Sequence, residues 1–274
     1  MNSGLINGLE KSVIDWTRTV QSNGGGTPSG NTNRAMSNFY KQLRVTGLIN
    51  KIKALNTIVP DSLIAAQTPL IKSNGNAVWT NNNFVSGDLT INGLAGDGST
   101  KYLNTGINPS TMISSTSNVG CTIYFPDYVT PGGHMWGITT DGYNTDFVGT
   151  TNFGGGVHFD CFDTGAGRLI IGTSYFNGFL SFSRLSDTDV RCYYRETGVS
   201  VTELGSLASS GGTCPNDPNM CVFASWNTFD ANFFASSQLS FISWHDGLSL
   251  EETTLFCSLI ETLRRQLGGG YVAT

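Results

Sequence analysis

The sequence predicts a mainly β fold, an antiparallel jelly-roll β-sandwich with N-terminal helices and a C-terminal helix. Three observations carry this. Between about 93 and 247, ten short β-branched or aromatic runs (101–107, 119–125, 133–138, 156–162, 168–173, 178–184, 190–195, 199–204, 220–226 and 238–245) are punctuated by Gly, Asn, Asp and Pro, with no helix between them. In 179–184, Phe179, Ser181 and Ser183 alternate with Leu180, Phe182 and Arg184, as a half-buried strand requires. The composition of the 274 residues, with 34 glycines, 11% aromatic and only 13% charged residues, supplies apolar mass for a core and a surface solvated mainly by Ser, Thr and Asn.

From the N-terminus, Leu5, Leu9, Val13, Trp16 and Val20 step by three or four and stack on one side of a helix. The run 22–33, SNGGGTPSGNTN, has the composition of a flexible linker. A helix of ~15 residues cannot bury its stripe alone. It must dock, either on its own domain or on a neighbouring subunit. A second helical stretch starts near Asn33, carries Met36, Phe39, Tyr40 and Leu43, bends at Gly47, resumes with Leu48, Ile49, Ile52 and Leu55, and is closed by Pro60. Residues 61–92 read as loops and a first strand. Glycines 93, 96 and 98 form a turn that opens onto Tyr102 to Ile107, and Pro109 ends that strand. The last helix is specified by a capping box, Ser249 with Glu252, an inward face of Phe256, Leu259, Ile260, Leu263 and Leu267, and the stop at Gly268. The organisation is therefore 1–32 as an anchoring arm, 33–60 as a helical segment packing on the sandwich, and 61–274 as the sandwich with its final helix.

The wording GDGSTKYLNTGINP (96–109), the segment NFYKQLRVTGLINKIKALNTIVPDSLIAAQ (38–67) and the ending SFISWHDGLSLEETTLFCSLIETLRRQLG (240–268) together resemble the concanavalin A-like (laminin G-like) jelly-roll domains of bacteriophage virion structural proteins. GFLSFSRL followed by VRCYYRETG, with 187–189 as its turn, is similar to the hairpin of laminin G-like folds. The resemblance implies a virion location on capsid or tail, a homo-oligomer in the particle, contacts with other virion proteins through the N-terminal helix, and a lectin-like sandwich that binds host-surface glycans.

The net charge of −5 argues against a nucleic-acid partner, which needs clustered Lys and Arg to displace counterions. The one basic pair, Arg264 and Arg265, complements the dipole of the last helix. No segment approaches the ~18 apolar residues of a membrane span, and the opening MNSGLINGLEKSVIDW lacks the basic start and apolar run of a secretory leader. Of the six cysteines, Cys121, Cys161, Cys192 and Cys257 read as buried free thiols, while Cys214 and Cys221 are the pair whose spacing permits a local bridge.

Sugar recognition asks for an aromatic platform flanked by Asn and Asp. Two sets meet that requirement: Trp136 with Asp141, Tyr143 and Asn144, and Trp226 with Asn227 and Asp230. Trp79 and Trp244 read as core. The Glu-x-Asp-x-Glu arrangement of this fold's glucanases is absent, since the glutamates occur only at 10, 196, 203, 251, 252 and 261. The chain is accordingly expected not to be an enzyme, with no catalytic residues. The alternatives are a glycan-cleaving domain using Asp residues, for which His158, Asp160 and Asp163 form the best cluster, and an architectural sandwich with no ligand. No cofactor is expected. Calcium is the runner-up, through Asp141, Asn144 and Asp146 or Asn216 and Asp217.

Overall fold

A computed structural model describes residues 8–126, 133–139, 146–150, 157–163, 168–172, 177–195, 200–214, 219–227 and 229–269. Two antiparallel sheets face each other. The first has six strands in the order Ile52–Asn56, Phe241–His245, Val119–Phe125, Gly178–Ser186, Asp189–Arg195 and Thr202–Leu207. The second has nine: Leu169–Ile171, Val157–Cys161, Phe147–Thr150, His134–Ile138, Cys221–Val222, Tyr102–Asn104 and Thr80–Asn82 follow one another, and Ser225–Trp226 joins His134–Ile138 through one parallel pair, carrying Ala231–Asn232 as its hairpin partner. A three-stranded sheet, Leu89–Thr90, Gly93–Ala95 and Gln238–Leu239, sits apart. This is the sandwich that the short punctuated runs predict.

The alternation in each strand separates two cores. Cys121, Ile123, Phe125, Leu180, Phe182, Ile242 and Trp244 meet Leu103, Trp136, Phe147, Phe159 and Val222 between the sheets. At its centre Trp244 lies edge-on to both Trp79 and Trp136, each with ring centroids 6.0 Å away. On the other side of the six-stranded sheet Tyr124, Phe179, Tyr193 and Phe241 meet helices Lys11–Ser22, Gly30–Val45 and Leu250–Leu267. Phe241 touches Phe39 and Phe256 at 6.0 and 5.7 Å.

The last helix begins as its sequence dictates, with the Ser249 hydroxyl accepting from Glu252 N and the Glu252 carboxylate accepting from Ser249 N, and it ends at Gly268 with φ of 91°. Arg264 does more than answer the helix dipole. It is fully buried and donates to the carbonyl oxygens of Thr57, Ile58, Ser240 and Ile91. Burial lowers its pKa to about 10. His245, read from the sequence as turn chemistry, is also buried: Nδ1 donates to the carbonyl of Asp246, so Nε2 accepts from Thr122 Oγ1.

Two expectations differ from the structure. Residues 52–56 form an edge strand rather than a continued helix, because Gly47 (φ 79°) ends the helix and one 3₁₀ turn, Leu48–Asn50, swings the chain into the sheet. The linker is shorter than 22–33: Ser29 caps the second helix by accepting from Thr32 N, so 30–33 are helical. The N-terminal helix spans Lys11–Ser22, with Leu5 of the predicted stripe outside the described residues, and of the two docking alternatives it takes the first, packing on its own chain. Its stripe of Val13, Trp16 and Val20 is buried, Trp16 Nε1 donates to Thr68 O at 2.8 Å, Glu10 N donates to Ser37 Oγ, and Arg44 pairs with Glu10.

Candidate functional site

Strand register places polar and aromatic side chains on the outer face of the nine-stranded sheet. One row of register partners runs Thr80, Asn104, Cys221, Gly137, Val148 and Asp160; a second runs His134, Thr150, His158 and Ile170. Tyr102, paired with Asn82, lies two residues along the strand from Asn104, so it shares the first row's face. Among the described residues, the helices that cover the six-stranded sheet have no counterpart here.

The hairpin Ser225–Trp226 and Ala231–Asn232 rises beside this face, in register Ser225 to Asn232 and Trp226 to Ala231. Its turn is built by its own polar side chains. Asn227 Oδ1 accepts from Phe229 N and Asp230 N at 2.9 and 2.8 Å, Asn227 N donates to Asp230 O, and Asp230 Oδ1 accepts from Ala231 N. This closure turns Phe229 outward, 88% exposed. At the base of the hairpin, half-buried Trp226 and Phe234 flank Tyr102, with ring centroids 6.3 and 6.0 Å from it. Burial, with Cys221 and Asp230 nearby, raises the Tyr102 phenol pKa. Just past the hairpin, Phe233 adopts φ of 55° and stacks on His134 with centroids 4.7 Å apart and planes 27° apart. Ser225 Oγ holds His134 Nδ1 at 2.7 Å, and burial, then Arg168 and His158, lowers the imidazole to about 3.

Of the sequence-predicted platforms, Trp226, Asn227 and Asp230 come together in this hairpin. Trp136 does not form a platform: it is fully buried between the sheets, 4.7 Å from the Phe147 ring. Its partners Asp141, Tyr143 and Asn144 lie outside the described residues. Trp79 and Trp244 are core, as expected. Sequence reasoning missed Tyr102, Phe229, Phe233 and Phe234. The signal available for Phe229 was a large apolar residue inside an Asn/Asp turn.

The acidic cluster is organised by arginines. Asp160 is held bidentately by Arg168 at 2.7 Å on each oxygen, and Arg168 Nη1 lies 3.2 Å from His158 Nδ1. Burial raises the Asp160 carboxyl pKa against the opposing pull of Arg168. Burial and Arg168 lower His158. Asp163, past the strand end, is buried with Arg184 at 2.6 Å and Ser209. His158 and Asp160 thus share a face while Asp163 belongs to a second pair facing Arg184, so the three do not converge.

Among the described residues no group of three or more His, Cys, Asp or Glu side chains could hold a metal ion. Of the calcium ligands considered, Asp141, Asn144, Asn216 and Asp217 lie outside the described residues, and Asp146 is buried. All six cysteines are free: Cys214 packs against the inter-sheet core and Cys221 under Tyr102 and Trp226, on opposite faces of the second sheet, so the spacing that permits a bridge does not produce one.

No known family matches the chain, and no curated protein matches it. Among solved structures it is similar to a Trypanosoma rangeli sialidase in complex with 2,3-difluoro-KDN, at 11% identity and a TM-score of 0.44 over 75% of this chain and 32% of that one. It is also similar to the enzymatically active domain of bacteriophage CBA120 tailspike protein 2, at 9% identity and a TM-score of 0.31 over 73% and 31%. A third is a Shewanella oneidensis protein of unknown function, at 14% identity and a TM-score of 0.32 over 64% and 78%. The chain spans about a third of the length of the sialidase. The expectation that the chain is not an enzyme is set aside: these neighbours include a sialidase and an enzymatically active tailspike domain, and the absence of one glucanase motif does not exclude catalysis. At this likeness none of them assigns a catalytic residue to this chain.

Proposed function

We propose that the protein is a glycan-binding β-sandwich of a phage particle, and that it takes its ligand on the outer face of the nine-stranded sheet beside the 225–232 hairpin. The observation that carries the reading is the outward Phe229 ring, in the same turn as Asn227 and Asp230 and next to the hairpin strand whose Trp226 ring lies beside Tyr102. A pyranose has an apolar face and a rim of hydroxyls. An exposed ring covers the first while amide and carboxylate groups bond the second. The phage setting is supported by the resemblance of GDGSTKYLNTGINP and the final helix to virion domains.

An array of bacterial surface polysaccharides tests the ligand: the protein is retained on at least one, and Phe229→Ala and Trp226→Ala each weaken retention by about tenfold or more, as truncation of an aromatic anchor does. A silent array sinks the glycan reading. Proteomics of purified particles tests the setting, which fails if the chain is absent from them.

Chromatography of the polysaccharide after incubation checks for cleavage: shortened chains identify hydrolysis, and intact retained chains identify binding alone.

A further inference from the structure

The binding reading leaves Phe233 unexplained. An aromatic residue at positive φ is strained, since the left-handed region crowds any side chain with a β-carbon. The strain has a specific result. It separates the two consecutive rings, so that Phe234 packs beside Tyr102 while Phe233 stacks on His134 and remains 47% exposed. Phe162 and Phe223 also take positive φ, but both are fully buried in the core, whereas Phe233 keeps its ring half exposed.

The surroundings of the Phe233 ring point the same way. His134 is fixed by Ser225, and its backbone N donates to Phe233 O at 2.5 Å, so ring and backbone are tied together. His134 shares its register row with His158, two strands away, or about 10 Å at the usual strand spacing. Beyond His158 the row ends at Ile170, 58% exposed, and next to His158 the guanidinium of Arg168 is matched by Asp160. The turn that carries Phe229 lies beyond the pair of Trp226 with Ile138, and Phe233 lies at the other end of the His134–Ile138 strand beside His134, so the two exposed rings are spaced along the hairpin.

Resting on the glycan reading above, we propose that the Phe233 and His134 stack is a second sugar-contacting subsite. The ligand is then an oligosaccharide laid along the hairpin, from the Phe229 turn to Phe233, rather than a single terminal sugar. Two aromatic subsites each cover one ring of that ligand.

The test uses the full chain and defined mono- to hexasaccharides released from bacterial surface polysaccharides, with affinity read by calorimetry and folding by thermal melting. Wild type gains about tenfold or more in affinity between one unit and three or four, once both aromatic subsites are filled. Phe233→Gly, which relieves the positive φ, melts at or above the wild-type temperature yet loses that chain-length gain. Phe233→Ala, which keeps the β-carbon, loses the same gain. Two results overturn the inference while leaving the glycan reading intact: a monosaccharide that binds as tightly as its oligomers, or Phe233 variants that bind the oligomers like wild type. Wild type that binds no saccharide on the array overturns both.

Discussion

The two sheets have the same alternating chemistry on their inner sides and opposite fates on their outer ones. Tyr124, Phe179, Tyr193 and Phe241 leave the six-stranded sheet into a layer of three helices, and the polar atoms there, Thr122, Ser181 and His245, bond one another. The outer face of the nine-stranded sheet carries buried His134, His158 and Asp160 in its rows, with exposed Ile170 at the end of one row and exposed Phe229 and Phe233 on the hairpin side. One outer face is covered by helices. The other leaves aromatic and aliphatic side chains exposed. If this division is right, substitutions on the helical side lower stability and leave ligand binding alone, and substitutions at the hairpin do the reverse.

The largest expected effect is on the helical side. Arg264→Met removes the donor to four carbonyl oxygens in a dry interior and should cost about 3–5 kcal/mol by chemical denaturation. A loss within 1 kcal/mol would mean that water or another donor serves those carbonyls, and that the helical layer is not the stabilising half.

Acid comes next, and it touches both faces. His245 and His134 are buried with pKa values lowered by burial to about 4 and about 3. Their unfolded forms bind protons near pH 6.5 while the folded forms do not, so the unfolded state holds more protons through this window. Stability is therefore fully present above pH 6.5 and falls as pH drops toward 4, by up to about 1.4 kcal/mol per pH unit for each histidine. Denaturant midpoints measured from pH 7 to pH 4 should show this slope, and His245→Gln should remove its own share. A pH dependence unchanged in His245→Gln would contradict the neutral, buried state of that ring.

A smaller effect is expected for Trp16→Phe, which keeps most of the apolar contact of the N-terminal helix and deletes the bond to Thr68 O. It should cost about 1 kcal/mol. The smallest is Phe229→Ala, whose stability should stay within about 0.5 kcal/mol of wild type because the ring is exposed at a turn tip. A clear drop in its melting temperature would make Phe229 a structural residue and erase the contrast between the faces.

Much of the fold is legible in the sequence. The strand at 119–125 and the last helix fall where their patterns put them, because a capping box and a β-branched run flanked by turn formers are local signals. Strand Ile52–Asn56 is hidden for the opposite reason. Nearly every residue in it is buried, so its apolar spacing is indistinguishable from that of the helix before it. The site is less legible. Trp136 and Trp226 have similar polar neighbours in sequence, and only the register decides that the first lies between the sheets and the second outside them. Arg168, absent from the sequence-level cluster of His158 and Asp160, is brought beside them by the hairpin that returns Leu169–Ile171 along Val157–Cys161.

The turn at 227–230 closes on its own Asn and Asp, and only two ladder pairs join its hairpin strands. Its tip residue can be exchanged while the layers beneath keep their register. A lineage carrying this protein could therefore shift what it adheres to by rewriting a handful of codons, with the scaffold inherited unchanged.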